Sequence, residues 1–308
     1  MACFVITGPT ACGKSDLAMQ LAKACDGEII CMDSMQIYRH MDIGTAKPTA
    51  EEQSEVPHHM LDIIEPGETF SVAAYSRMAE ECAAQITARG HVPVFVGGTG
   101  FYLRALRHPM AMGGTAASPE IRAQLENEAD GPDGPRLLHE RLEQVDPVTA
   151  QRLHVNDVRR VIRALEVYSV TGKPFSQQPR MEEEKPRFDY RVICLNRERK
   201  ILYERIELRV DRMMEMGLKD EVARLLEMGV SPSAQAMQAI GYKEIIPLVQ
   251  NTCSYDEAVS LLKLNTRHYA KRQLTWMRRE EEVLWLDADQ PDLLSKAMDY
   301  LTRKDTEE

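Results

Sequence analysis

The chain has 308 residues, of which 44% are hydrophobic and 28% are charged, and its formal net charge is −10. This composition is typical of a globular protein with one large domain or two ordinary ones. No apolar run approaches the roughly 18 residues that a membrane span needs. The seven cysteines lack CxxC spacing, which disfavours a zinc site or a disulfide framework. We therefore expect a cytoplasmic protein with no membrane segment, acting as a monomer.

Strands and helices are predicted to alternate in the first third of the chain. Short apolar stretches at residues 4–7, 28–32 and 92–96 indicate buried strands. Helical patterns at residues 14–24 and 72–89 separate them. This order is typical of parallel βαβ units.

The rest of the chain is predicted to be mostly helical. Further strands are expected at residues 190–195 and 283–286, so that both ends of the chain contribute to one sheet. Residues 110–187 show no strand signal and contain a turn cluster at 129–135. We predict an α/β core formed by residues 1–109 and 188–308, interrupted by a helical insertion at 110–187.

The segment GPTACGKS follows the first predicted strand and precedes a helix, which is the setting of a phosphate-binding loop. Its glycines let the backbone N–H groups turn inward toward an anion. Lys14 would contact a terminal phosphate and Ser15 would ligate Mg²⁺. Cys12 is expected to fill space and not to act as a nucleophile. The residues predicted to bind a diphosphate or triphosphate are Gly8, Pro9, Thr10, Ala11, Cys12, Gly13, Lys14 and Ser15.

The loop alone does not identify a reaction, because kinases and nucleotide hydrolases share it. Hydrolases of this type usually have an apolar strand that ends in a metal-binding Asp. Here the strand at residues 92–96 is followed by GGTG. This difference disfavours a hydrolase.

Asp33 follows the second predicted strand. The carboxyl ends of parallel strands face one cleft, so Asp33 is expected near the phosphate-binding loop. A carboxylate in that place serves as a base or as an indirect metal ligand. The alternative is that Asp33 caps a following helix, and the sequence pattern leaves both interpretations open.

Six segments resemble the tRNA dimethylallyltransferases, also called tRNA isopentenyltransferases, in addition to the phosphate-binding loop. They occur in the order found in that family and span most of the chain. They are DSMQIYRHMDIGTAKP from Asp33, GGTGFYLRAL from Gly97, NDVRRVIRALEV from Asn156, RIELRV from Arg205, AIGYKE from Ala239 and TRHYAKRQLTWMRR from Thr266.

The resemblance implies an α/β fold with a P-loop kinase-like core, a parallel sheet flanked by helices, and a helical tRNA-binding insertion. It also implies transfer of a dimethylallyl group from dimethylallyl diphosphate to N6 of the adenosine just 3′ of a tRNA anticodon, with release of diphosphate. Asp33 would be the general base, Thr10 and Arg209 would act on the diphosphate, and Mg²⁺ would be the cofactor. On spacing alone, Arg209 would instead lie on a solvated helix face.

The resemblance assigns the tRNA anticodon stem-loop as the macromolecular partner. Gln36 is matched to recognition of the acceptor base, although a glutamine that satisfies backbone groups is an open alternative. The residues matched to tRNA contacts are Asp33, Ser34, Met35, Gln36, Thr99, Arg122, Arg159, Arg160, Arg163, Gly241, Lys243, Lys271, Arg272 and Arg278.

Two basic clusters show where an acidic protein could hold RNA. Lys263, Arg267 and Lys271 are spaced i, i+4, i+8 and are expected on one helical face that Arg278 continues. The aromatic residues between these cations are predicted to stack on unpaired bases, and a second cluster lies within residues 152–163. The aromatic residues are His268, Tyr269 and Trp276, and the second cluster consists of Arg152, Arg159, Arg160 and Arg163.

Three other functions remain open at this stage. A small-molecule kinase would use Asp33 to activate a hydroxyl group, and a prenyltransferase could act on a free adenine nucleotide. Neither would need the basic segment at residues 263–279. An RNA-binding protein that uses a nucleotide as a switch is disfavoured by GGTG at the end of the third strand.

Overall fold

The computed structural model describes residues 2–108, 118–178 and 185–303. Two compact units make up the chain: a core unit of Met1–His108 with Lys185–Glu308, and a helical unit of Pro109–Glu184. The helical unit begins one residue before the predicted insertion and ends three residues before the predicted end. The parts of the predicted insertion at 110–117 and 179–184 lie outside the described residues.

A six-stranded parallel sheet forms the centre of the core unit. The five predicted strands are all present. The sixth was missed because two histidines give no apolar run, yet they pair in parallel with Ile29 and Ile30. The strands are β1 (Ala2–Thr7), β2 (Gly27–Cys31), β3 (His58–His59), β4 (Val92–Val96), β5 (Asp189–Asn196) and β6 (Val283–Asp287), in the order β3-β2-β4-β1-β5-β6.

Helices connect these strands. They occupy the stretches where helical periodicity was predicted, and three further helices, at Ala50–Glu55, Gly100–Arg107 and Leu293–Thr302, were not predicted. The predicted α/β fold with a helical insertion is confirmed. The helices are α1 (Lys14–Ala24), α2 (Ala50–Glu55), α3 (Val72–Ala88), α4 (Gly100–Arg107), α5 (Pro119–Ala129), α6 (Gly134–Val145), α7 (Pro147–Arg152), α8 (Val158–Thr171), α9 (Arg199–Glu215), α10 (Leu218–Glu227), α11 (Tyr242–Val249), α12 (Tyr255–Met277) and α13 (Leu293–Thr302). Among the described residues, no helix has the length and apolarity needed to cross a membrane.

Both faces of the sheet are covered, which explains why β1 and β4 at its centre are apolar along most of their length. Side chains alternate along β1, so Val5 packs into the cluster that contains Phe95. Its neighbour Ile6 packs on the other face with Leu17. The central strand is therefore buried on both sides, and only its carboxyl end leads to a polar loop.

A separate apolar cluster joins α10, α11 and the start of α12 to the segment after β2. Within this cluster Glu221 is only 2% exposed. Its carboxylate accepts hydrogen bonds from the backbone N–H groups of Asp42, Ile43 and Gly44 at 2.8–3.1 Å, and from the Tyr242 hydroxyl at 2.6 Å. One buried side chain thus holds the loop that begins the DIGTAKP segment.

The helical unit has its own apolar core, formed by α5, α6 and α8. Its α8 also carries a fully buried carboxylate, Glu166. Glu166 accepts hydrogen bonds from Ser118 N at 3.1 Å, Arg122 at 2.6 Å and Arg163 at 2.7 Å. Two arginines matched to tRNA contacts are therefore also structural partners of a buried charge.

Replacing Glu166 by Gln should destabilise the helical unit by about 1–3 kcal/mol, because a buried charge-assisted network loses its acceptor charge. Burial acts to raise the pKa of Glu166, but the hydrogen bonds and charges of Arg122 and Arg163 outweigh it and lower the pKa. The contribution of ionised Glu166 to the free energy of unfolding is therefore fully present above the unfolded-state pKa of 4.5. It is lost as the pH falls through the lower pKa of the folded state.

Urea denaturation at pH 7 and at decreasing pH measures this difference. Glu140→Gln is the matched control, because Glu140 is 49% exposed in its pair with Arg136, and its effect should stay below about 0.5 kcal/mol. Equal destabilisation by the two variants would contradict the prediction.

Candidate functional site

The loop between β1 and α1 has the backbone conformation of an anion-binding turn. Three of its residues adopt positive φ: Gly8 at 147°, Ala11 at 63° and Gly13 at 98°. Gly13 precedes α1 without a side-chain cap, so the first N–H groups of the helix are left for a ligand. The Lys14 ammonium donates to the Pro9 carbonyl at 3.4 Å and so lies back over the loop.

Cys12 fills the space beneath this loop. It is fully buried, and burial raises the pKa of its thiol. A neutral buried thiol is a poor nucleophile, which supports the expectation that Cys12 has a packing role.

The loops at the carboxyl ends of β1, β2 and β4 meet around a cleft of about 340 Å³. Residues from α9, α11 and α12 close its other sides. Most of the predicted site residues of the core unit line this cleft: Thr10, Lys14, Ser15, Asp33, Ser34, Met35, Gln36, Arg209, Gly241, Lys243 and Arg272.

Asp33 does not cap a helix, because residues 34–46 form turns, bends and one isolated β-bridge. One carboxylate oxygen accepts a hydrogen bond from the Met35 N–H at 2.8 Å. No protein donor to its other oxygen is found among the described residues. The local bond fixes the orientation of the carboxylate while leaving one oxygen for chemistry in the cleft.

Arg209 lies in the cleft, and the solvated-face alternative for it is wrong. Burial lowers the pKa of Arg209, and the charge of Asp33 opposes that shift. No carboxylate pairs with Arg209 in the described part of the chain, so its charge is directed to the cleft. On the same helix, Arg205 donates to the Ala11 carbonyl at 2.9 Å and Arg212 is exposed.

The GGTG segment brings the end of β4 against the end of β2. A Cβ atom on Gly97 would lie 1.9 Å from the Met32 carbonyl oxygen, so no other residue fits there. Thr99 follows, and its hydroxyl accepts a hydrogen bond from the Ser34 N–H at 3.1 Å. Thr99 thus holds the backbone next to Asp33.

The side chain of Gln36 satisfies backbone groups, as its alternative interpretation proposed. Its amide donates to the carbonyls of Thr45 at 3.1 Å and Ala46 at 3.0 Å. Its carbonyl oxygen accepts from the Cys31 thiol at 3.1 Å. In this structure Gln36 shapes the cleft wall, because its hydrogen-bonding groups are engaged within the protein.

The basic face predicted on α12 is divided between two roles, so the expectation of one continuous RNA-facing row is wrong. Lys263 pairs with Asp211 at 2.7 Å, and Arg267 pairs with Glu207, both on α9. Lys271 and Arg278 are exposed and have no carboxylate partner in the described ranges.

The aromatic residues of α12 are also divided. Tyr269 lines the cleft, and burial together with the charge of Asp33 raises the pKa of its hydroxyl. Trp276 packs so closely on Gly100 that a Cβ atom there would lie 2.2 Å from its ring. His268 is exposed and, of the three predicted stacking residues, it is the one free of such packing.

The basic residues that begin α8 are on the surface of the helical unit. Arg159 and Arg160 are exposed, and Arg160 is 75% exposed while pairing with Asp157 at 3.1 Å. These two cations have surfaces open to a polyanion. Their helical neighbour Arg163 contacts Glu166, as described above.

Sequence reasoning missed two residues that support the phosphate-binding loop. Gln273 on α12 accepts a hydrogen bond from the Thr10 N–H at 2.9 Å. Arg197, just after β5, donates to the Cys12 carbonyl at 3.3 Å and pairs with Asp289. No local pattern marks either residue, because both reach the loop only through tertiary contacts.

The described residues contain no group of three or more His, Cys, Asp or Glu side chains that could hold a metal ion. Mg²⁺ commonly keeps several waters and takes one or two protein ligands plus substrate phosphate oxygens. The exposed Ser15 hydroxyl at the start of α1 meets that requirement beside the predicted phosphate position. A magnesium ion brought with a diphosphate therefore fits this cleft.

Known proteins resemble this chain over nearly its whole length. A profile of the IPP transferase family matches residues 36–280. The tRNA dimethylallyltransferase of Pelotomaculum thermopropionicum is 50% identical over 282 residues, which are 92% of this chain and 89% of the relative. The tRNA dimethylallyltransferase of Shouchella clausii is 48% identical over 96% of this chain and 94% of the relative.

Two solved structures have the same fold. The full-length tRNA isopentenylpyrophosphate transferase of Bacillus halodurans gives a TM-score of 0.71 at 43% identity, covering 97% of this chain and 94% of its own. A eukaryotic dimethylallyltransferase acting on tRNA gives a TM-score of 0.81 at 29% identity. The match covers 100% of this chain and 81% of the eukaryotic chain. The similarity to each of these two relatives and two structures extends over more than nine-tenths of this chain. The chain therefore belongs to the IPP transferase family of enzymes.

Proposed function

We propose that this enzyme transfers a dimethylallyl group from dimethylallyl diphosphate to N6 of the adenosine immediately 3′ of the anticodon in tRNA. The observation that carries the proposal is one cleft that contains the phosphate-binding loop, Arg209 and Asp33. The names of the close relatives supply the substrate classes. The product is N6-dimethylallyladenosine, and diphosphate is released.

The cleft suits an allylic diphosphate because charge develops at both ends of the breaking C–O bond. The allylic carbon can bear positive charge, and the departing diphosphate gains negative charge. Backbone N–H groups at the start of α1, together with Lys14 and Arg209, face that leaving group. Such preorganised donors lower the barrier by stabilising charge that grows in the transition state.

Asp33 is proposed as the general base. As N6 forms its bond to the allylic carbon, one N6 proton passes to a carboxylate oxygen of Asp33, and the electron pair of the C–O bond leaves with diphosphate. The exocyclic amine has a lone pair delocalised into the purine ring, so removal of that proton assists attack. The bond from Met35 N–H holds the carboxylate in one orientation for this transfer.

Mg²⁺ is the proposed cofactor, with the Ser15 hydroxyl as its protein ligand. When bound with the diphosphate, it would supply charge neutralisation for the leaving group. Thr10 lies in the same loop and lines the same cleft, and we propose that its hydroxyl contacts the diphosphate.

The acceptor adenosine must leave the stacked anticodon loop to reach Asp33. Extruding a base from a single-stranded loop costs a few kcal/mol. We propose that the base enters beside the segment after β2 and the turn before α11, with the RNA backbone on the exposed cations. The proposed RNA contacts of the core unit are Asp33, Ser34, Met35, Gln36, Thr99, Gly241, Lys243, Lys271, Arg272 and Arg278, and those of the helical unit are Arg122, Arg159, Arg160 and Arg163.

Incubation with Mg²⁺ and labelled dimethylallyl diphosphate tests the function directly. The acceptor is either an anticodon stem-loop with adenosine 3′ of the anticodon or AMP. We expect label in the stem-loop and not in AMP. Absence of label from the RNA would refute the proposal, and label in AMP alone would favour a free-nucleotide prenyltransferase.

Asp33→Asn should lower the transfer rate by about 100-fold or more, as expected for loss of a general base. Asparagine has the same shape and still accepts the Met35 N–H bond, so stem-loop affinity should stay within a few-fold. Single-turnover transfer and filter binding measure the two quantities. Asp299→Asn, on the exposed surface of α13, is the control and should be fully active. An active Asp33→Asn enzyme would exclude Asp33 as the base.

Replacing Lys271 and Arg278 by Ala should weaken stem-loop binding and reduce its salt dependence, with a change in slope of about one per lost phosphate contact. The matched control replaces Lys263 and Arg267, whose charges are already paired with α9. The control double variant should leave the salt dependence of stem-loop binding unchanged. Dissociation constants measured between low and moderate salt give both slopes, and equal slopes for the two double variants would show that the RNA lies elsewhere.

A further inference from the structure

Gln273 joins two loops of the site through one side-chain amide. It lies on α12 and is only 6% exposed. Its Oε1 accepts the Thr10 N–H at 2.9 Å, and its Nε2 donates to the Gly98 carbonyl at 3.0 Å. A backbone N–H can only donate and a carbonyl can only accept, so these partners determine the orientation of the amide.

The side chain of Gln273 packs tightly against Gly98. A Cβ atom on Gly98 would lie 2.1 Å from the Gln273 Nε2 and 3.2 Å from the Gly8 carbonyl oxygen. The phosphate-binding loop, the GGTG turn and α12 therefore meet at one closely packed point. Only a residue without a side chain allows the amide to reach both loops.

The two joined loops have different proposed roles. Thr10 belongs to the loop that faces the diphosphate, and Gly98 directly precedes Thr99, which holds the Ser34 N–H next to Asp33. The leaving group and the base are thus carried by separate loops of the sheet edge. Reacting atoms must approach within about 3–3.5 Å, and a misplacement of 1 Å can cost about 100-fold in rate.

We propose that Gln273 is a positioning residue that sets the distance between the diphosphate-binding loop and the acceptor side of the site. This inference rests on the proposed function, because it assigns one substrate to each loop. Gln273 touches neither reacting atom in this role. It acts through Thr10 on one side and through Gly98 and Thr99 on the other.

The sheet beneath the loops does not depend on this bridge. β1 and β4 pair in parallel from Phe4 with Val94 to Ile6 with Val96. The Gly97 N–H also donates to the Ile6 carbonyl at 3.2 Å. The Thr7 hydroxyl also donates to the Gly97 carbonyl at 2.8 Å. Loss of the Gln273 amide should therefore release the loops from each other while the strands stay paired.

Gln273→Met removes both hydrogen bonds and keeps the length of the side chain. We expect kcat for stem-loop prenylation to fall about 10- to 100-fold, with the KM for dimethylallyl diphosphate and the stem-loop dissociation constant within about threefold of wild type. The melting temperature should change by no more than a few degrees. Gln85→Met, exposed on α3, is the matched control and should retain full activity.

Gln273→Glu supplies a second test that depends on pH. An ionised carboxylate still accepts the Thr10 N–H but repels the Gly98 carbonyl, whereas a protonated carboxyl group donates to that carbonyl as the amide does. The ratio of the variant kcat to the wild-type kcat should therefore rise several-fold as pH is lowered from about 8 to about 6. The ratio cancels any pH dependence that the two enzymes share.

The outcomes separate the two proposals. If wild-type enzyme labels no RNA, the proposed function fails before Gln273 is tested. If wild-type enzyme is active and Gln273→Met retains kcat within threefold, the positioning role is refuted. It is also refuted if this variant loses substrate binding and thermal stability together with kcat, or if the Gln273→Glu ratio does not change with pH.

Discussion

The parallel alignment of β1, β2 and β4 is the constraint on which the whole site depends. Each strand ends at the same edge of the sheet, so three loops distant in sequence meet around one cleft. Gly97 approaches the Met32 carbonyl so closely that a Cβ atom would lie at 1.9 Å from its oxygen. Without that glycine, the end of β4 could not lie against the residues that carry Asp33.

Buried polar side chains convert this alignment into a defined geometry. Glu221 holds three successive backbone N–H groups of the loop at residues 42–44, and Gln273 joins the loops after β1 and β4. Such groups are costly to bury unless all their partners are in place. Each one therefore specifies a single arrangement of the loops around it, which suits a reaction that depends on the distance between two substrates.

The helices α9 and α12 distribute their charges between structure and ligand. Lys263 and Arg267 are neutralised by carboxylates of α9, whereas Arg209 faces the cleft with no carboxylate partner in the described ranges. The net charge of −10 thus says little about the local surface. A protein that is acidic overall can still present unpaired cations where a polyanion is proposed to bind.

Local sequence determined five of the six strands, most of the helices and the phosphate-binding loop, because hydrophobic periodicity and glycine spacing act over a few residues. The resemblance of motifs along the chain indicated the family. It also placed Asp33 at the end of β2. Only the tertiary structure showed that Asp33 accepts a turn hydrogen bond and caps no helix, and that Gln36 is engaged by Thr45 and Ala46. Only the tertiary structure distinguished Arg209 from Arg205 and revealed Gln273. The hydrogen-bond partners of Gln36, Arg205 and Gln273 lie 9, 194 and 263 residues away along the chain, so no pattern within one helix could identify them.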